Sequence, residues 1–446
     1  MADAATTPSY DGYTDWAKSL GVTVHESLEV RQQPRDAQVP GEEERGVYAT
    51  KPFLAGTKLV SVPWAALLNV TVAGHCPVLA PLLDVALTRE DDILAALLVL
   101  ERAKGAESKW ERHITVLPTV IHNVLFFSGL QLEALRGSSL YVIGNTLLRQ
   151  VEADYAEIAP AIIGAMDKAG IDGKATFTID AYRWGLANVF SRFASTTRAG
   201  VMLKCMVPFF DMFNHSAAGS KVSHSFDEAS DCFVGTATEG FLPGEGGAEV
   251  HINYGTLSSH RMLMLYGMVA EENPGDSVNL WATMQPQAPD FAIKAQILKR
   301  HGIDDSLPFE LGVSGDLNPR LLAALRVQQL NDAELPAADR AFDGDALSPR
   351  NEAAMLELLG GALKAMLSAY PTSAEEDEGM LAAWAASGAA VDMPVPQFHE
   401  RMAVLMRMNE KRILAKHLGK VEEQQAALEL ARTEGGRAAV AEEVMD

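Results

Sequence analysis

Cysteine is scarce in this sequence, with Cys76, Cys205 and Cys232 the three present among 446 residues. The three lie far apart and form no C-x-x-C pair, so neither a disulfide framework nor a structural zinc cluster is expected. Such usage is typical of proteins that fold in a reducing compartment. We expect no bound metal.

Positive charge is also in short supply. Lys and Arg number 37 against 59 Asp and Glu, which gives a net charge of −22. A surface of this sign repels phosphate groups, so non-specific binding of nucleic acid is not expected. A basic or Lys-rich protein partner is the more compatible kind.

Long apolar runs are absent, and none approaches the roughly 20 residues that a membrane-spanning helix needs. The first residues, MADAATTPSYDGYTDW, include three acids, no Arg and no apolar core, unlike a secretory signal or an Arg-rich transit peptide. We expect a cytoplasmic or nuclear protein without membrane partners, with the chloroplast an option if the sequence is a mature form. We also expect a monomer.

What the chain does have is length and apolar content for two or three folded units, and it shows no internal repeat. Residues 13–20 have the spacing of a short helix, and a Pro- and charge-rich loop follows to about residue 46. Two short β-branched runs around Ala55-Gly56 predict strand, turn and strand.

A helical period begins behind the acidic residues at 90–92 and continues to about residue 200, with Asp180 as the expected cap of one helix. Short strands return over 201–255, and the pattern beyond about residue 290 is helical. Strands therefore flank a helical insert, and a helical region follows them.

The segment VPFFDMFNHS, residues 207–216, begins like a buried strand but carries Asp211, Asn214 and His215. Burying such groups without partners costs roughly 1–3 kcal/mol each, so something must satisfy them. A surface turn is one explanation, because Asp and Asn accept turn geometry. A buried functional site is the other.

Three segments in order resemble the SET-domain protein methyltransferases, in the branch of the Rubisco large-subunit lysine methyltransferases. They are ERGVYATKPFLAGTKLVSVP, VPFFDMFNHS and HINYGTLSSHRMLMLYGMVAEENPGD, with SRFAS between the first two. The resemblance implies an α+β fold: an N-terminal helix and loop (1–42), a SET domain of short β-strands in a β-clip with a knotted site (43–280, helical insert about 91–200), and an all-α substrate-binding domain (281–446).

The same resemblance implies a site for S-adenosylmethionine. Asn214 and His215 would contact this cofactor through their backbones inside the knotted crossing, and Arg192 of SRFAS would face its carboxylate. The loop of Glu43, Arg45 and Gly46 would approach its methionyl end. Alternatively, Arg192 is an exposed arginine on a helix. For the loop, the alternative is that the side chains of Glu43 and Arg45 have no function.

Tyr254 of HINYG corresponds to the active-site tyrosine of that branch, where a phenol can orient the acceptor nitrogen. The resemblance places Asp211 and Tyr266 at the substrate channel, although Tyr266 equally suits a helix core. His251 and His260 have no metal-ligand neighbours. Two departures bear on the match: extra residues in LPGEGG before HINYG, and Thr196 where plant Rubisco enzymes often have a basic residue.

The predicted function is an S-adenosylmethionine-dependent protein-lysine N-methyltransferase acting on a non-histone protein. Two alternatives remain open. One is a protein-histidine N-methyltransferase of the same fold, ranked second because DMFNHS is closer to the lysine enzymes. The other is a non-catalytic protein-interaction platform, which the intact Arg192, Asn214, His215 and Tyr254 disfavour.

Overall fold

A computed structural model describes residues 10–32, 45–119, 121–216, 219–242, 247–304, 306–386 and 394–443, with side chains up to residue 433. The helices are, in chain order, α1 (Tyr13–Ser19), α2 (Val70–Gly74), α3 (Glu90–Lys104), α4 (Glu111–Thr115), α5 (Gly129–Glu133), α6 (Ser139–Lys168), α7 (Gly173–Thr176), α8 (Ile179–Arg192), α9 (Ser259–Tyr266), α10 (Phe291–Arg300), α11 (Pro319–Gln328), α12 (Pro349–Ser368), α13 (Ala374–Ala386) and α14 (Val395–Glu443).

The strands are β1 (Thr23–Val24), β2 (Leu28–Gln32), β3 (Arg45–Ala49), β4 (Lys58–Pro63), β5 (Phe193–Arg198), β6 (Val201–Met206), β7 (Ser220–Asp227), β8 (Cys232–Ala237), β9 (His251–Ile252), β10 (Ser277–Leu280) and β11 (Phe309–Gly312). The main sheet has five strands in the order β1-β4-β8-β7-β9, and the other strands form the pairs β2-β3, β5-β6 and β10-β11.

The predicted strand, turn and strand around Ala55-Gly56 are present as β3 and β4. The stretch before residue 43, expected as helix and loop, also contributes two strands. Strand β1 pairs with β4, and β2 pairs with β3 over five residues from Leu28 to Gln32. The run LEVRQ did not predict a strand because its residues are mostly half-buried, so the usual apolar alternation is weak.

The helical insert is present and packs on its own core. Helices α3 and α8 lie so close that a Cβ on Gly185 would stand 2.8 Å from the carbonyl oxygen of Ala95. The expected cap at Asp180 is wrong: α8 begins one residue earlier, and the Thr178 side chain accepts the Ala181 N–H at 3.1 Å. Helix α8 ends at Arg192, and the insert closes with the hairpin β5-β6.

The segment at residues 214–216 runs parallel to strand β9. The Ile252 N–H donates to the Asn214 carbonyl at 2.9 Å, and the Ser216 N–H donates to the Ile252 carbonyl at 3.0 Å. This pairing brings together two segments that the resemblance placed in one knotted crossing. The threading itself stays a prediction.

The C-terminal region is helical as predicted, with one two-stranded sheet in addition. Strand β11 lies inside the region expected to be all-α and pairs with β10 in antiparallel register. The first half of α14 joins the two parts of the molecule, because Phe398, Met402 and Leu405 pack with residues of the insert such as Leu132. The domain boundaries drawn from the sequence stay predictions.

Over the described residues, no helix combines the length and apolar character needed to cross a bilayer.

Candidate active site

The segment VPFFDMFNHS leaves β6 through a strained turn. Phe209 has φ 70° and ψ −42°, a conformation that a bulky residue rarely adopts. Its neighbours Phe210 and Phe213 are buried with it in the core beneath the main sheet. A short 3-10 helix, Phe210–Met212, then carries the buried Asp211. Apolar burial therefore anchors the turn that leads into Asp211, Asn214 and His215.

Asn214 ties three segments together through its side-chain amide. Its nitrogen donates to the Arg45 carbonyl at 2.6 Å and to the Glu249 carboxylate at 2.7 Å. Gly46 is needed beside them, since a Cβ there would collide with the Glu249 carboxylate. Burial favours a higher pKa for Glu249, but hydrogen bonds from His251 and from the Asn214 amide hold the pKa below its usual range. The predicted cofactor loop and the NHS segment thus meet.

His215 accepts a hydrogen bond from the backbone of Tyr254. The Tyr254 N–H lies 3.0 Å from His215 Nδ1, and the two rings stack with centroids 5.1 Å apart. A ring that accepts at Nδ1 is a neutral imidazole with its proton on Nε2. Burial lowers the pKa of His215, which favours the same neutral form.

Tyr254 and Tyr266 form an aromatic pair. Their ring centroids are 4.8 Å apart with planes 22° from parallel. The Tyr254 hydroxyl donates to the Phe213 carbonyl at 2.9 Å. Burial raises the pKa of Tyr254 to about 12 and that of Tyr266 to about 12. Both phenols are therefore protonated at neutral pH.

Arg45, Arg192 and Asp211 contribute buried polar atoms that lack hydrogen-bond partners within the described part of the chain. These atoms are Arg45 Nη2, Arg192 Nε and both carboxylate oxygens of Asp211. Arg192 donates through Nη1 to the Asp211 carbonyl at 3.3 Å, and the same Nη1 stands 3.9 Å from the Asp211 carboxylate. Since buried polar groups are normally paired, this arrangement is suited to a polar ligand.

Two residues of the cluster carried no sequence signal. His113 of helix α4 is fully buried, and its Nε2 lies 3.6 Å from the Asp211 carboxylate. Tyr13 of helix α1 is also fully buried, and its hydroxyl lies 3.0 Å from His113 Nδ1. A single His or Tyr on a short amphipathic helix looks like any core residue. Only the fold brings these two to the NHS segment.

The structure gathers most of the predicted site residues. Hydrogen bonds link Asn214 with Arg45 and Arg192 with Asp211, and the charges of Arg45 and Asp211 act on Tyr254. Glu43 lies outside the described residues. Asp211 points into the buried polar cluster, and whether it reaches a substrate channel stays a prediction. The roles of all these residues stay predictions.

Two further histidines have local partners only. His251 contacts the Glu249 carboxylate at 3.4 Å, and His260 lies 2.9 Å from the Ser258 hydroxyl. Across the described ranges, no three His, Cys, Asp or Glu side chains are grouped so as to hold a metal ion.

Solved structures match this chain over nearly its full length. The SET domain of LSMT bound to lysine and AdoHcy aligns with a TM-score of 0.75 at 19% identity, covering 94% of this chain and 92% of that chain. Rubisco LSMT bound to sinefungin and monomethyllysine aligns with a TM-score of 0.73 at 20% identity, covering 95% and 93%. Because the identities are this low, these matches show the fold alone. They confirm the predicted fold class.

Curated relatives share more sequence. Actin-histidine N-methyltransferase of Xenopus tropicalis is 27% identical over 427 residues, which cover 91% of this chain and 68% of the relative. The Homo sapiens protein of the same name is 27% identical over 398 residues, covering 84% and 63%. The chain thus spans about two thirds of the length of the curated relatives it matches.

Residues 285–414 match the family model described as Rubisco LSMT substrate-binding. This match falls within the helical region that the resemblance assigned to substrate binding. The chain therefore has the fold of the solved LSMT structure, and residues 285–414 within it match the Rubisco LSMT substrate-binding model.

Proposed function

We propose that the protein is an S-adenosylmethionine-dependent protein N-methyltransferase. The observation that carries the proposal is the buried cluster of Arg45, Arg192 and Asp211 with unpaired polar atoms, placed beside Asn214 and Tyr254. S-adenosylmethionine supplies a methyl group on a sulfonium, together with a carboxylate and an ammonium group. Two guanidinium groups and one carboxylate provide the complementary charges for those last two groups.

The arginines and Asn214 would hold the cofactor in place. Arg192 is fixed through Nη1 to the Asp211 carbonyl, which leaves its Nε available for a carboxylate. Asn214 fixes the backbone at Arg45, so that Arg45 Nη2 faces the same cluster. These contacts are made within the protein itself, and preorganisation of this kind lowers the entropic cost of binding.

Tyr254 and Tyr266 would position the acceptor nitrogen. The Tyr254 ring lies between His215 and Tyr266, which fixes its plane. Because both phenols stay protonated at neutral pH, they orient a nitrogen without removing its proton. The acceptor must therefore present a lone pair when it reaches the site.

Histidine is the first candidate acceptor. The relatives aligned over 91% and 84% of this chain are named actin-histidine N-methyltransferases, although the motif DMFNHS had placed lysine first. Chemistry supports the same order: an imidazole with a pKa of about 6.5 is largely neutral at pH 7, whereas a lysine with a pKa of about 10.4 must first lose a proton. Lysine is the second candidate, because the solved neighbours were bound to lysine and monomethyllysine.

The domain at 285–414 would bind the protein substrate. Such a division of labour separates substrate choice from chemistry: the C-terminal helices select the protein and the sheet aligns the reacting atoms.

Two measurements test the proposal. Titration calorimetry with S-adenosylmethionine should show one site in the unchanged protein and about a 10-fold or greater loss of affinity in Arg192→Ala, the loss of a charge-assisted hydrogen bond. Arg183→Ala, at an arginine of the same helix bonded to Glu152 on the surface, is the matched control.

Incubation with methyl-labelled S-adenosylmethionine and a proteome extract from cells that lack the protein then identifies the acceptor. Mass spectrometry should find methylhistidine in one dominant protein, and methyllysine there instead would favour the second candidate. Cofactor binding without any labelled residue would contradict a transferase. Absence of cofactor binding would favour the alternative of a non-catalytic protein-interaction platform.

A further inference from the structure

The strained turn at Phe209 is held by a residue from the opposite end of the domain. The Phe209 N–H donates to the Tyr13 hydroxyl at 3.1 Å, across 196 residues of sequence. Tyr13 sits in helix α1, which packs near the insert helix α4 that carries His113. Since a bulky residue at positive φ persists only when its surroundings fix it, this hydrogen bond supports the conformation of the turn.

The hydrogen bonds around Tyr13 favour one tautomer of His113. The Tyr13 hydroxyl oxygen accepts the Phe209 N–H, and its own proton has His113 Nδ1 as acceptor at 3.0 Å. An imidazole that accepts at Nδ1 carries its proton on Nε2. His113 Nε2 lies 3.6 Å from Asp211 Oδ2, a close contact that is too long for a hydrogen bond, and neither atom has a hydrogen-bond partner among the described residues. Burial lowers the pKa of His113, which keeps the ring neutral.

Asp211 connects the Phe209 turn to Arg192. The Asp211 carbonyl accepts from Arg192 Nη1, so the backbone turn that starts at Phe209 sets where the guanidinium lies. The side chain of Asp211 is 1% exposed and that of Arg192 is 13% exposed. In so buried a place a guanidinium has little freedom to adjust, and a displaced turn moves it away from its ligand.

We propose that Tyr13 and His113 are positioning residues for the cofactor site, acting through the Phe209 turn and Asp211 to orient Arg192. The inference rests on the proposed function, because it takes S-adenosylmethionine as the ligand of Arg192. It gives the first helix and the helical insert a direct part in cofactor affinity.

A pH profile separates this role from simple packing. The titratable and charged groups that influence Asp211 from the elements around it are His113, Arg45, Arg192, Tyr13 and Tyr254. Burial raises the pKa of Asp211, while the positive charge of Arg45 opposes that rise. A donor N–H favours the ionised carboxylate. Removing the N–H should therefore raise the Asp211 pKa further, and cofactor affinity should be lost at a higher pH.

The experiment compares two substitutions at His113 in the full chain. In His113→Gln the side-chain amide nitrogen can reach the position of Nε2 and still face Asp211. In His113→Asn it reaches only the position of Nδ1. Tyr13→Phe removes the hydroxyl that joins Phe209 to His113. Controls are His75→Gln on the surface and Tyr155→Phe, whose hydroxyl bonds the Phe177 carbonyl away from the site.

Calorimetry should give S-adenosylmethionine a dissociation constant about 10-fold higher in His113→Asn and Tyr13→Phe than in the unchanged protein, the size of effect expected when one positioning contact is lost. Between pH 5 and 9 the midpoint of affinity loss should move upward in His113→Asn and stay in place in His113→Gln. Melting temperatures identify any variant that fails to fold. If Tyr13→Phe fails to fold, the comparison of His113→Asn with His113→Gln still tests the proposal.

The same data overturn the proposal in two distinguishable ways. Unchanged affinity and midpoint in His113→Asn, with cofactor bound normally by the unchanged protein, would limit Tyr13 and His113 to packing. Failure of the unchanged protein to bind S-adenosylmethionine would overturn the proposed function and this inference together.

Discussion

At the residue scale, the site depends on one amide. The Asn214 side-chain nitrogen donates both to the Arg45 carbonyl and to the Glu249 carboxylate. An amide nitrogen provides two donors in a fixed plane, and both are used here. The side chain of Asn214 thus holds two other segments together, in addition to the cofactor contact predicted for its backbone.

Asn214→Asp should destabilise the fold. The introduced carboxylate would face a carbonyl oxygen and the Glu249 carboxylate, so denaturant unfolding should show a loss of about 1–3 kcal/mol at pH 7. The loss should shrink as pH falls and the introduced carboxyl takes up a proton. Asn145→Asp, at an amide bonded to the Tyr141 carbonyl within its own helix, should cost less. Equal losses in both variants would contradict the role given to Asn214.

Tyr254→Phe should lower the turnover number more than cofactor affinity. The phenylalanine ring keeps the stacking with His215 and Tyr266, whereas the hydroxyl that orients the acceptor is lost. Once a substrate has been identified, we expect the turnover number to fall about 10- to 100-fold, between the loss of an ordinary hydrogen bond and of a transition-state donor. Tyr141→Phe, which removes a surface hydroxyl bonded to Glu133, is the control. Unchanged turnover in Tyr254→Phe would refute the assignment.

At the element scale, strand β3 depends on a residue without a side chain. Gly46 pairs with Arg31 of strand β2 on one side and leaves room for the Glu249 carboxylate on the other. Glu249 in turn accepts from Asn214 and from the Tyr48 hydroxyl, the latter at 3.2 Å. The approach of these segments is therefore limited by the size of residue 46.

Gly46→Ala should weaken both stability and cofactor binding. The added methyl group would displace the Glu249 carboxylate, and overpacking of this kind costs about 1–3 kcal/mol in denaturant unfolding. Gly361→Ala is a matched control in the middle of helix α12, where a Cβ would meet nothing within 4 Å. That control should stabilise the protein by about 0.5–1 kcal/mol, because alanine favours helix. A tolerated Gly46→Ala would show that Glu249 can move freely.

The elements also show what the sequence could reveal. Strong periodicity predicted α3 and α8, and β-branched runs with a Gly turn predicted β3 and β4. The cap at Thr178 was assigned to Asp180, two residues later, because both residue types cap helices. Order and motif predicted that Arg192, Asn214 and Tyr254 share a site. Tyr13 and His113 escaped prediction, since their importance comes from contacts across 196 and 100 residues.

At the scale of the whole molecule, a buried polar layer joins helix α14 to the rest of the chain. Glu410 accepts from the Ser138 hydroxyl of the insert and from the Tyr370 hydroxyl of the C-terminal region, each at 2.9 Å. Arg407 and Lys411 flank it on the same helix and pair with Asp377. Glu410 thus has two hydroxyl donors, and the nearby cations are engaged elsewhere.

The stability of this junction should fall as pH rises. Burial raises the pKa of Glu410 from 4.5 to about 7, so the folded state binds more protons than the unfolded state between those values. Stability should decline from about pH 4.5 to about pH 7 and then level, by about 3 kcal/mol at 1.36 kcal/mol per pKa unit. Glu410→Gln should remove this part of the decline, as measured by denaturant unfolding across pH.

Glu423→Gln provides the comparison for that curve, because Glu423 is an exposed residue of the same helix paired with Lys420. Its stability profile should run parallel to that of the unchanged protein. A Glu410→Gln profile with the same slope between pH 4.5 and 7 would show that Glu410 does not control the junction.

The hydrogen bond between Tyr13 and Phe209 also joins two residues that a ribosome makes far apart in time. Its two residues are 196 positions apart. At a synthesis rate of about 5–20 residues per second, helix α1 waits roughly 10–40 s for its partner to be made. During that interval the insert can fold on its local contacts, while the apolar faces of α1, β1 and β3 stay exposed to aggregation. We therefore expect the N-terminal part of the nascent chain to be prone to aggregation until residue 209 has been made.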